Sequence, residues 1–181
     1  MICSNCLKFC LIFILLVPLL VFGEPRNLLE VNEPAPNLIL RDLQDKEQIF
    51  PCPGKWNIVF FWSLFCHTCI EEIPVISNEI SDLKDRPVSF FFVSLDTVKL
   101  KKAVENFLKK RNLVLNVLLE EIASDSYKSA DQWGVKTTPS AFLINPEGKI
   151  AFSREGPFDP EEMLSILRTA LASGSSNLVP K

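Results

Sequence analysis

Histidine is almost absent: of 181 residues only His67 is one. A copper-carrying assembly site built from a cysteine pair needs a distant histidine as well, and none remains to supply it. A structural zinc site would need two further nitrogen or sulfur ligands beside such a pair, and none of the right kind is placed for it. No metal or cofactor is therefore expected. Charge of one sign is scarce too. The 19 Lys and Arg stand against 22 Asp and Glu, a net charge of -3, without the cationic surplus by which a chain neutralises phosphates, so nucleic acid is not an expected partner. Long apolar runs are also lacking. The longest, Phe9 to Phe22, is shorter than the roughly 18 residues a spanning helix needs and is broken by Pro18. With 48% hydrophobic residues, the chain has the material for one domain with a full core.

Residues 1–23 read as an export signal. Lys8 is the only charge before the apolar run, Gly23 closes it, and Val21 stands at the -3 position for cleavage after Gly23. A cleaved signal is the first reading. An uncleaved anchor that tethers the protein through residues 9–23 is the second, and either puts the domain outside the cytosol. Cys3 and Cys6 form a CxxC with no strand before it, and no leader cysteine follows the apolar run as a lipid-modified one would. Residues 24–33 read as an exposed lead-in, 34–172 as the folded domain, and 173–181 as a polar tail.

The domain is organised around WNIVFFWSLFCHTCIEEIP, residues 56–74. Trp56 to Trp62 is apolar or aromatic almost without a break, the pattern of a strand buried on both faces. Ser63-Leu64-Phe65 then turns the chain and delivers Cys66-His67-Thr68-Cys69 to the start of an amphipathic helix. A helix start carries about half a positive charge and unpaired amides, so a thiol placed there ionises more readily, and the thiolate is what attacks disulfides. Cys69, one turn further in, can close a ring with Cys66 while meeting substrate poorly. The pair reads as an attacking and a resolving thiol, joined as a redox disulfide. Cys52 stands apart, because the strand from Lys55 to Ser63 would span about 25 Å and put it at the other end of the sheet.

Elsewhere strands and helices alternate. Asn37 to Leu43 and Gln48 to Phe50 form a hairpin, and Pro87 to Leu95 a buried strand. Asp96-Thr97 can cap a helix whose apolar face is Leu100, Ala103, Val104, Phe107 and Leu108, with Lys99, Lys101, Lys102, Lys109, Lys110 and Arg111 mostly on its solvated side. Asn116 to Leu119 is a short strand, Ser124 to Trp133 a helix closed by Gly134, and Ser140 to Ile144 a strand turning at Asn145-Pro146-Glu147-Gly148 into Lys149 to Ser153. Asp159-Pro160-Glu161-Glu162 begins the last helix: cap, proline at the first position, acid in the first turn. The order gives a three-layer α/β sandwich with a central mixed sheet flanked by helices.

With these motifs in view the chain resembles the thioredoxin fold, and within it the TlpA/ResA-like family of exported thiol-disulfide oxidoreductases, which includes the cytochrome c maturation thioredoxins. The likeness covers Pro34 to Ala172. It rests on FWSLFCHTCIEEIP, on GVKTTPSAFLINPEGKI, on the N-terminal hairpin, and on a helix-strand insertion from about Thr97 to Glu121. It implies that Cys66 is the nucleophile, Cys69 the resolving cysteine, and Pro139 a proline with a cis bond before it, beside the disulfide, leaving the Thr138 backbone to pair with a substrate strand. Glu72, three residues after Cys69 and so on its side of the helix, matches the family's acid near the cysteines; it would oppose thiolate formation and carry a proton to or from Cys69. The strand position where ordinary thioredoxins carry an acid is here Phe60. His67 and Thr68 fill the dipeptide where the family commonly has proline or an acid. A protonated His67 would favour the Cys66 thiolate and make the disulfide more oxidising. Trp62 and Phe65 are expected to pack around the site.

The expected chemistry is dithiol-disulfide exchange with protein disulfides, run as a reductant. The resemblance implies recharging by a membrane thiol carrier and, as one substrate, apocytochrome c. Net oxidation follows instead if His67 dominates. Two other classes compete. A peroxiredoxin shares the hairpin and the insertion, but Phe61 and Phe65 occupy the proline and threonine places of its peroxidatic frame. A non-enzymatic binding or assembly domain would leave an intact CxxC idle.

Overall fold

The structure, a computed structural model, describes residues 27–83, 85–123 and 125–174, so the expected leader and all but the start of the tail lie outside the described residues. Strand β3 (Trp56–Trp62) is buried along all seven residues. Its side chains alternate as a pleated strand requires: Trp56, Ile58, Phe60 and Trp62 enter one core, Val59 and Phe61 the other. Six strands flank it or each other: β1 (Leu38–Asp42), β2 (Glu47–Phe50), β4 (Val88–Ser94), β5 (Val117–Leu119), β8 (Ser140–Ile144) and β9 (Ile150–Glu155). Their order is β2-β1-β5-β4-β3-β8-β9. β3, β4 and β5 run parallel, while β8, β9, β1 and β2 join antiparallel, giving the thioredoxin-like mixed sheet.

Three helices cover one face. Helix α1 (His67–Ser81) buries Cys69, Ile73, Ile76 and Ile80, spaced to fall on one stripe of a 3.6-residue period. Pro74 lies inside it, and the helix runs on to Ser81 rather than breaking there. Helix α2 (Lys101–Arg111) buries Val104 and Leu108; Lys109, Lys110 and Arg111 in its last turn face solvent and complement the negative helix end. Helix α3 (Pro160–Ser173) buries Met163, Leu164, Leu167 and Ala170. Among the described residues no helix is long and apolar enough to cross a membrane.

The opposite face corrects one expectation. Of the helix expected over Ser124 to Trp133, the described residues 125–133 form none: β6 (Ile122–Ala123) and β7 (Ser126–Tyr127) pair as a small antiparallel ladder, and the chain then turns irregularly to Gly134. The buried Glu120 carboxylate is the cause, since it accepts from the Ala130 amide (2.9 Å) and from both the amide and hydroxyl of Ser129. Those amides satisfy a side chain instead of the helical ladder. What remains is one turn, with the Trp133 amide on the Ser129 carbonyl (3.0 Å), closed by Gly134 at φ +68°. A Cβ on Gly134 would lie 1.9 Å from the Asn27 carbonyl oxygen, so this contact admits only glycine. Trp133 thereby reaches the sheet, stacks on Phe50 and meets Phe142 edge to face.

The last helix begins as its sequence demands. Asp159 accepts the Glu161 amide at 3.0 Å, Pro160 follows, and Gly174 at φ +63° ends it. Asp159→Ala is expected to lower unfolding stability by about 1 kcal/mol, read as a shifted urea midpoint at unchanged slope. An unmoved midpoint would show the cap to be idle.

Candidate active site

β3 ends at Trp62, and Ser63 to Phe65 turn the chain so that Cys66 becomes the cap of α1, extended at φ -92°, ψ 103°. Its Sγ accepts the Cys69 amide at 3.1 Å, and its carbonyl accepts the Ile70 amide at 3.2 Å. Cysteine thus occupies the position where serine or aspartate ordinarily caps a helix. Cys66 and Cys69 are joined as a disulfide, S–S 2.06 Å and Cα–Cα 5.3 Å. Their environments differ in the expected sense: Cys66 is half-buried, Cys69 has no exposed surface.

Glu72 follows Cys69 on the buried stripe of α1 and is only 9% exposed. One oxygen accepts the Phe158 amide at 3.4 Å; the other is buried without a partner among the described residues. Burial pushes its carboxyl above the ordinary glutamate range, the Phe158 amide pulls part of that back, and the neighbouring Glu71 charge adds to the rise. His67 projects into solvent, its Nδ1 3.6 Å from the Glu71 carboxylate. An ion pair this exposed contributes little. Thr68 is half-buried.

The sheet register brings the second motif to the same end. Phe61 pairs with Ser140, so Thr138 and Pro139, just before Ser140, lie at the Trp62 end of β3. The Thr138–Pro139 bond is cis, as the resemblance implies; a second cis bond, Phe50–Pro51, had no sequence signal. Glu155 holds the approach by accepting the Lys136 and Thr137 amides at 2.6 and 2.8 Å, and Pro139 accepts the Gly156 amide at 2.8 Å. Trp62 is wholly buried, its ring 5.4 Å from that of Phe107. Phe65 departs from expectation: it is 83% exposed, standing out from the turn instead of packing on the site.

Cys52 stays apart. It is a free thiol in the loop before β3, tied by two backbone bonds to the Asn57 side chain, at the end of the strand away from Cys66. Among the described residues no cluster of His, Cys, Asp and Glu could hold a metal ion. Two participants escaped the sequence reading. The Phe158 amide reaches Glu72 across 86 residues. Asp96, expected with Thr97 as a helix cap, instead turns to the loop before Cys66, and only Thr97 caps, accepting the Lys99 amide at 3.4 Å.

Known proteins resemble this chain in sequence and in fold. Residues 31–153 match the model of the AhpC/TSA family. Thiol-disulfide oxidoreductase ResA of Bacillus subtilis is 30% identical over 131 residues, 72% of this chain and 69% of that protein. Among solved structures, a thiol:disulfide interchange protein of the thioredoxin family from Chlorobium tepidum superposes with a TM-score of 0.64 at 20% identity, covering 78% of this chain and 98% of its own. A peroxiredoxin-like protein from Aquifex aeolicus superposes with a TM-score of 0.66 at 18% identity, covering 80% and 90%. At such identities the likeness is one of fold, shared by exchange proteins and peroxidase-like ones alike.

Proposed function

We propose a direction and a setting for this chemistry, on the premise that the chain belongs to the AhpC/TSA family and is a thiol-disulfide oxidoreductase of the ResA type. In our reading it is a reductant of protein disulfides outside the cytosol, with apocytochrome c cysteines among its substrates. The observation that carries the mechanism is the asymmetry of the pair: Cys66 is reachable and capped by an amide, Cys69 is buried behind it.

The Cys66 thiolate attacks one sulfur of a substrate disulfide, and the other substrate sulfur leaves as a thiolate. Cys69, deprotonated, then attacks Cys66 Sγ. The second substrate sulfur leaves, and Cys66–Cys69 closes. The substrate gains two electrons and the enzyme loses two. Glu72 accepts the Cys69 proton, Pro139 and Thr138 offer backbone to the substrate strand, and a dithiol carrier in the membrane returns the enzyme to its reduced form. The direction is supported by His67, whose Nδ1 lies in solvent 3.6 Å from the Glu71 carboxylate, a counter-charge that offsets what a protonated ring would bring to the Cys66 thiolate. The setting is supported by the apolar run 9–22 with Lys8 before it and Gly23 after.

Peroxidase chemistry would need a lone peroxidatic thiolate with its proline and threonine, whereas Phe61 is buried in the core and Phe65 exposed at those places. The test of the substrate assignment is trapping. Full-length Cys69→Ser, expressed in cells that make cytochrome c, should accumulate mixed disulfides with proteins carrying haem-attachment cysteines. Adducts lacking any such protein would sink the cytochrome assignment and leave the exchange activity standing.

A further inference from the structure

We infer that Asp96 is a positioning residue for the redox pair: it fixes the turn from which Cys66 is presented. The inference deepens the exchange reading above and rests on it. The parallel register sets Ser94, the last residue of β4, beside Trp62, and the Leu95 amide donates to the Trp62 carbonyl at 2.8 Å. Asp96 therefore emerges beside the first residues of the redox turn. It is 6% exposed and meets neutral donors only. Ser63 Oγ donates to its Oδ1 at 2.8 Å, and the Leu64 amide and Ser94 Oγ donate to its Oδ2, each at 2.8 Å. The network continues to the nucleophile: Ser63 Oγ accepts the Phe65 amide and the Ser63 carbonyl accepts the Cys66 amide, both at 3.1 Å. One carboxylate thus ties down every residue between the end of β3 and Cys66.

The backbone gives independent support. Thr97, directly after Asp96, sits at φ +55°, ψ 178°, a region that disfavours a β-branched residue unless its surroundings dictate it. Asp96 turned into the redox loop, with Thr97 turned out to cap the short 3-10 turn Val98–Leu100 that precedes α2, dictates it. A loop held from one side only would let Cys66 wander from the Cys69 amide and from its line of attack, and displacements of about 1 Å are enough to cost up to 10²-fold in rate.

The test compares four variants of the full-length chain by two readouts: the rate of attack on a disulfide peptide, and the equilibrium constant of the pair against glutathione. Asp96→Ala, which orphans all three donors, should slow the attack about ten-fold and displace the equilibrium constant. Asp96→Asn should stay within about three-fold of wild type, because its carboxamide oxygen can serve Leu64 and Ser94 while its nitrogen donates to Ser63 Oγ. Ser63→Ala should slow the attack as well. Val104→Ala, a core truncation in α2 with no bond to the turn, should lower the melting temperature and move neither readout. Wild-type rate and equilibrium in Asp96→Ala, or an Asp96→Asn protein as slow as Asp96→Ala, would overturn the inference. Should Asp96→Ala not fold, a wild-type rate in Ser63→Ala would do the same. A wild type that exchanges no disulfide fails the functional reading itself, a separate result.

Discussion

Cys66→Ser should lose disulfide reductase activity by on the order of a thousand-fold or more, the scale on which removal of a nucleophile acts, and should form no mixed disulfide. Cys69→Ser should behave differently. It keeps the half-buried but reachable sulfur at the helix start, with the backbone amide of residue 69 still pointing at it, since that donor belongs to the main chain. Attack therefore proceeds, but no thiol stands behind to displace the substrate, and the mixed disulfide accumulates at one equivalent. Insulin reduction with the full-length chain gives the first readout and a gel-shift of the trapped adduct the second. Trapping by Cys66→Ser and not by Cys69→Ser would reverse the assigned roles. A Cys66→Ser protein that still turns over would remove the exchange mechanism altogether.

The site was legible in the sequence to the extent that its geometry is local. Seven buried residues ending in a turn and a CxxC can only deliver the cysteines at a helix start, and Asp159-Pro160-Glu161-Glu162 announces its own helix with a cap the structure reproduces. The losses came where a distant carboxylate overrode local preference. Ser124 to Trp133 carries no strong helix breaker before Gly134, yet Glu120 captures the amides of Ser129 and Ala130 and the described residues 125–133 coil. Asp96-Thr97 has the residues of a helix cap, but a parallel neighbour ending at Trp62 claims Asp96 for the redox loop. Phe65 failed for a related reason: a turn residue packs only if something lies across from it, and hydrophobicity alone does not say so. Pairwise contacts over 32 and 33 residues, such as Leu64 and Ser63 to Asp96, leave no period in the chain to read.

Glu72→Gln should slow the resolving step by about a hundred-fold, in the range that positioned proton transfer contributes. The buried Cys69 must lose a proton before it attacks, it has no exposed surface from which to give one to solvent, and Glu72 lies one helical turn on with an oxygen that has no partner among the described residues. The same burial that isolates this carboxyl raises its pKa, which brings its basicity nearer to that of a thiol than a solvated glutamate's would be. Rapid-quench rates of mixed-disulfide resolution should rise in wild type as Glu72 ionises, and in the variant only as the thiol itself does, displaced to higher pH. Stability must move in the opposite direction. Because the folded state holds the Glu72 proton more tightly than the unfolded chain, the group's contribution is fully present below the unfolded glutamate pKa, about 4.3, and is lost as pH rises through the folded value. Glu72→Gln, neutral throughout, should therefore gain on wild type in urea unfolding as the pH is raised, while it loses in catalysis. A carboxylate kept only for packing would show the stability trend without the kinetic one, so superimposable resolution profiles would strip Glu72 of its proton-transfer role even if the unfolding curves diverge.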